Sequence, residues 1–72
     1  MAESSKIVAG LRLVTVDPSL YGKDVVEVLM HYGIACHDAV VSINGIQIDL
    51  DLENPVYDNA LITVVPTPQT KG

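Results

Sequence analysis

Four side chains with metal-binding or nucleophilic chemistry fall close together in the sequence: His31, Cys36, His37 and Asp38. Zinc takes tetrahedral Cys and His sets at recognised spacings, and a His-x4-Cys-His run supplies neither a CxxC pair nor a fourth soft ligand. No metal site is expected here. A nucleophilic thiol needs a positioned base and a lowered pKa, and the adjacency of His37 to Cys36 in sequence does not supply that geometry. The expectation is a helix-end histidine, a half-buried free thiol and a solvated loop.

The carboxylates Asp49, Asp51 and Glu53 alternate along a strand end, which would place Asp49 and Asp51 on one face. Paired carboxylates do acid–base work only in a cleft whose apolar surroundings shift a pKa. A charged loop is expected instead, one that can meet a basic partner and discourage edge-to-edge sheet pairing. Tyr21, Tyr32 and Tyr57 are the only aromatic residues. Tyr32 is expected in the core, whereas Tyr21 and Tyr57 flank loops and are candidates to present rings to a partner. No basic stripe interleaved with aromatics and no glycine-rich phosphate loop occurs, so nucleic acid is not an expected ligand. With no catalytic residues and no cofactor expected, the chain reads as a non-enzyme.

Composition narrows the partner further. Four basic against nine acidic residues give a formal net charge of −5, which opposes phosphate backbones and anionic lipid and favours basic protein surfaces. Hydrophobic residues make up 49% of the chain, yet no apolar run approaches the roughly 20 residues that span a bilayer. The expectation is a soluble protein without a membrane partner. Cys36 is the only cysteine and cannot form an internal disulfide, which suits a reducing, cytoplasmic setting. Residues 1–5 are polar, carry Glu3 and lack the basic and apolar regions of a signal peptide. They are expected to be disordered.

Seventy-two residues close one hydrophobic core. Residues 6–16 (KIVAGLRLVTV) are strand material, with Leu11, Leu13 and Thr15 alternating against Arg12, Val14 and Val16. Gly10 marks either a hairpin turn or a bulge in one long strand. Asp17-Pro18-Ser19 breaks the pattern. From Asp24 the period changes: Val25, Val28, Leu29 and Tyr32 form one face of a short helix. Asp24 and Glu27 are spaced to cap its start, and Gly33 suits the left-handed position after its end. Three valines are poor helix formers, so this helix depends on docking against a sheet.

Asn44-Gly45 lies between strand-like runs that hold Val41 and Ile43 before it and Ile46, Ile48 and Leu50 after it, the signature of a type I′ hairpin. Val56-Tyr57 reads as a short docking segment and Asp58-Asn59 as a turn. Residues 60–65 (ALITVV) read as a central strand whose natural neighbour is the first strand. Residues 66–72 (PTPQTKG) are expected to form an extended, mobile tail. The whole is a single α+β domain: residues 1–5 disordered, 6–65 folded as a mixed sheet of four to five strands on one helix, 66–72 a tail.

Over residues 22–65 the sequence resembles the ThiS/MoaD group of sulfur-carrier proteins, which are β-grasp (ubiquitin-like) domains. The resemblance rests on Gly22-Lys23-Asp24-Val25 at the helix start, Leu29-Met30-His31-Tyr32-Gly33 at its end and Ile43-Asn44-Gly45 at the hairpin. It implies a five-strand sheet around one helix and a C-terminal glycine, here Gly72, that an E1-like adenylating enzyme activates for sulfur transfer. The family's tail ends Gly-Gly; this one ends Thr70-Lys71-Gly72. Asp58-Asn59-Ala60 likewise replaces the Asp-Gly-Asp common before the last strand. Two functional expectations follow. The first is a β-grasp protein-interaction module, such as an accessory subunit of a multi-subunit assembly, with Tyr21, Tyr57, Asp49, Asp51 and Glu53 as candidate contacts. The alternative is a sulfur carrier or ubiquitin-like modifier acting through Gly72. Oligomeric state stays open.

Overall fold

Asp24 stops one conformation and starts another. In the computed structural model, which describes residues 3–67, its extended backbone precedes helix α1 (Val25–His31) and its carboxylate accepts the N–H of Val26 at 3.3 Å. The other carboxylate oxygen accepts the N–H of Asn54 at 2.7 Å, so one side chain caps the helix and pins a distant loop. Glu27 reaches sideways to Lys23 at 4.0 Å. At the far end Gly33, at φ 70°, donates to Met30 O and Ile34 donates to Leu29 O. This paired bonding is a Schellman motif, and buried Leu29 and Ile34 supply its apolar contact. Val25, Val28 and Leu29 are fully buried, as the spacing required.

The strands are β1 (Lys6–Ala9), β2 (Arg12–Thr15), β3 (Ala39–Ile43), β4 (Ile46–Gln47) and β5 (Leu61–Pro66). They form one mixed sheet in the order β2-β1-β5-β3-β4. Only β1 and β5 run parallel; all other neighbours are antiparallel. Gly10 resolves as a hairpin turn: Ala9 pairs with Arg12, and of the two residues between them only Gly10 takes a positive φ, 62°, the pattern of a type II′ turn. Asn44 and Gly45 both take positive φ, 53° and 82°, as a type I′ turn demands. A 3₁₀ turn, Pro18–Leu20, follows β2 and buries Leu20.

Residues directly across a ladder share a face. The inner row Val14, Ile7, Ile62, Ile43 and Ile46 crosses all five strands, and Val41 and Val64 extend it. The helix lays Val25, Val28 and Leu29 into the same core cluster, closed by Val16, Ile34 and Val56. Val56 is buried, as a docking segment should be. β5 takes the central position beside β1. Its burial is one-sided, however: Ile62 and Val64 are buried while Leu61 and Val65 are exposed.

Three expectations change. Residues 3–5 are held in the fold: Glu3 and Asn59 exchange two hydrogen bonds, and Ser5 is fully buried. Polar composition suggested fraying, but Ser5 finds a partner for each of its polar groups. Asp49 and Asp51 do not continue a strand, because β4 ends at Gln47; the Asp49 carboxylate accepts the Asp51 N–H at 2.9 Å and turns the chain. Within the expected tail, Pro66 belongs to β5, and Thr67 donates its N–H (2.9 Å) and hydroxyl (2.7 Å) to Asp38 O. The rest of that tail lies outside the described residues.

Candidate interaction surface

The outer row of the sheet, opposite the core, reads Leu13, Val8, Thr63, Ser42 and Gln47. Lys6, Leu61 and Thr15 lie on one side of this row, and Val40 and Val65 on the other. No element of the described chain covers this face. Leu13 is 67% exposed, Val65 57% and Leu61 46%. None of the nine acidic residues lies in a strand, so the face carries apolar and hydroxyl side chains with Lys6 as its charge. Its rim is acidic: Glu3 stands beside Lys6, Asn59 and Leu61 at one end, and exposed Asp38 precedes β3 at the other.

Sequence reasoning did not single out this face. The alternation in residues 11–16 separates two sets that are both largely apolar, and the structure turns Val14 and Val16 inward and Leu11 and Leu13 outward. The signal lay in Arg12, whose guanidinium reaches past the sheet's inner side to Tyr32 O at 3.1 Å.

The residues expected to bind a partner divide. Tyr57 is exposed and lines a shallow depression with Glu53, Glu27, Lys23 and Pro55 at the start of the helix. Tyr21 is instead half-buried, with its hydroxyl accepting the Ser5 N–H at 3.1 Å, so it braces the fold. Asp49 borders a different depression, with Gln47, Ile48 and Leu50. The five candidates therefore do not form one patch. Gly72 lies outside the described residues.

The His31 to Asp38 group also disperses. His31 stacks edge-on against Tyr32 with ring centroids 4.9 Å apart, and Cys36 packs half-buried against the core. His37 Nε2 stands 3.3 Å from Asp38 Oδ2 in solvent. Among the described residues no three His, Cys, Asp or Glu side chains converge to hold a metal. Nor is any helix among them long and apolar enough to cross a membrane. Asp17 is held below the ordinary aspartate pKa, chiefly because the Ser19 N–H donates to its carboxylate at 2.9 Å.

Comparison with known proteins finds no matching family, no similar curated protein and no similar solved structure.

Proposed function

We propose that this chain is a non-enzymatic protein-interaction domain of the β-grasp type, acting as a subunit of a larger assembly in the cytoplasm. The carrying observation is the outer sheet face, free of acidic side chains and studded with exposed Leu13, Leu61 and Val65. A five-strand mixed sheet on one helix supports the β-grasp reading. Such a face suits a partner that offers an apolar patch, and the acidic rim with the net charge of −5 suits basic residues around that patch. Val65→Lys and Leu61→Lys put charge on the face without touching the inner core. Affinity purification from the native cells with wild type and each variant tests the reading. A partner retained by wild type and by Glu53→Lys, but lost with Val65→Lys, supports it; equal retention by all of them overturns it.

The sulfur-carrier or modifier alternative draws on one feature, the central position of β5, the last strand in sequence, which Thr67 follows with its clasp on Asp38 O. It requires an E1-like adenylating enzyme and ATP to produce a mass change at Gly72. Intact-mass measurement after incubation with such an enzyme decides that alternative separately from the docking test.

A further inference from the structure

The two edges of the sheet are protected unequally. β4 is two residues long and runs into the loop that carries Asp49, Asp51 and Glu53, so it offers little to a further strand. β2 forms the other edge, and residues 6–16 contain no acid and no proline. The Val16 N–H donates to Ser5 O at 2.8 Å, in line with the β1–β2 register. By the two-residue alternation of a strand, Val14 and Arg12 also turn their main-chain groups toward β1, while Leu13 and Thr15 turn theirs outward. The Tyr32 hydroxyl meets the Thr15 carbonyl from that outer side at 3.4 Å, an independent mark of its direction. The Leu13 N–H, the Leu13 C=O and the Thr15 N–H have no hydrogen-bond partner among the described residues. Beside them stand the exposed side chains of Leu11 and Leu13.

We infer that this edge pairs with β2 of a second copy, antiparallel about a twofold axis at Val14, with Leu13 opposite Thr15 of that copy. Each Thr15 N–H then meets the Leu13 carbonyl of the other chain, and each Leu13 N–H meets a Thr15 carbonyl. The latter bond replaces the long 3.4 Å contact from the Tyr32 hydroxyl, which keeps the Asp17 N–H at 2.9 Å; the two sheets become one. Two observations favour a second copy over a foreign strand. Only one edge of the sheet is open, so self-pairing consumes both open edges and closes at a dimer. The seam is also free of carboxylates, so the negative charge of each chain stays away from the other. This pairing leaves the outer face of the sheet uncovered and does not depend on what docks there.

Sedimentation of the purified full chain from low micromolar to near-millimolar concentration should reveal a monomer–dimer equilibrium. Amide exchange followed by NMR identifies the seam: Leu13 and Thr15 should gain protection as concentration rises, while Val14 and Val16 are protected throughout. Leu13→Pro removes an outward N–H without breaking the β1–β2 ladder, the placement proline tolerates in an edge strand. It should weaken the dimer by about tenfold or more, the scale of a lost hydrogen-bonded pair. Leu13→Lys does the same by charge repulsion and stands in if the proline variant does not fold, while Val65→Lys should leave the dimer intact. A monomer at every concentration overturns the inference. So does a dimer in which Leu13 and Thr15 exchange at a constant rate, or one weakened equally by Val65→Lys.

Discussion

The hydroxyl of Tyr21 accepts the backbone N–H of Ser5 at 3.1 Å, joining the segment before β1 to the loop before the helix. Ser5 is fully buried, and its own hydroxyl donates to Tyr57 O and accepts the Ala60 N–H at 3.1 Å. Its carbonyl takes the Val16 N–H. A single small polar residue thus ties its own segment to Val16, Tyr21 and residues 57–60, adding hydrogen bonds where these stretches meet at the edge of the apolar core.

Ser5→Ala should cost about 1–3 kcal/mol, because it leaves the part-buried Tyr57 carbonyl and Ala60 N–H without their partner. Tyr21→Phe should cost about 1 kcal/mol through the orphaned Ser5 N–H. Urea denaturation of both single variants and the double variant measures the pair. The double variant should fall short of or exceed the sum, because the two changes act on one network.

Asp24→Ala should destabilise the protein by about 1–2 kcal/mol, the usual cost of a lost helix cap. Asp24→Asn should be poorly tolerated here, although asparagine is ordinarily as good a cap as aspartate. Both carboxylate oxygens are engaged, one by Val26 N–H and one by Asn54 N–H, and an amide offers a single acceptor. Equal stability of wild type and Asp24→Asn in chemical denaturation would contradict this.

Asn44 serves the turn and also the central strand. Its side-chain oxygen accepts the Leu61 N–H at 2.9 Å and its N–H donates to Leu61 O at 2.8 Å. Asn44→Gly preserves the positive φ but removes the side-chain acceptor, so it isolates that bond; a loss of about 1 kcal/mol is expected. Gly45→Ala meets no atom within 4 Å, so its cost, about 1–2 kcal/mol, comes from the φ of 82° alone. Thermal denaturation of the two variants checks both figures.

The lowered pKa of Asp17 makes its ionised form favour the folded state, first through the Ser19 backbone N–H, then the Ser19 side chain, with His31 adding to it. Its contribution is complete above the ordinary aspartate value of 3.8 and disappears as pH falls through the lower folded value. Asp17→Asn keeps an acceptor without the charge. The wild type should therefore melt higher than Asp17→Asn near neutral pH, and the gap should close on acidification below that ordinary value. A gap independent of pH would contradict the assignment.

The helix and the Asn44-Gly45 hairpin were legible because each is specified locally, by capping residues and by backbone tolerance of positive φ. The Leu11 and Leu13 face was not, since both faces of β2 are apolar and only the position of the helix decides which is inner. Ser5 escaped notice for another reason: its burial depends on hydrogen bonds to residues 21, 57 and 60, and a serine in a polar stretch has no periodicity to betray it. Tyr21 flanks a loop in the sequence, the position of a displayed ring, and only the fold brings its hydroxyl to the Ser5 N–H. The alternation of Ile46, Ile48 and Leu50 carries a strand past Gln47 in the sequence, where the Asp49 carboxylate in fact bends the chain.

The sheet is organised around a strand that arrives last. β5 is the only strand that touches both the β1–β2 hairpin and the β3–β4 hairpin, yet it follows all of them in sequence. A nascent chain still on the ribosome cannot join the two hairpins, each marginal by itself, until residues 61–66 have emerged from the exit tunnel. Until then the apolar faces of both hairpins await the same missing spine, and this is the interval in which a chaperone would find the chain.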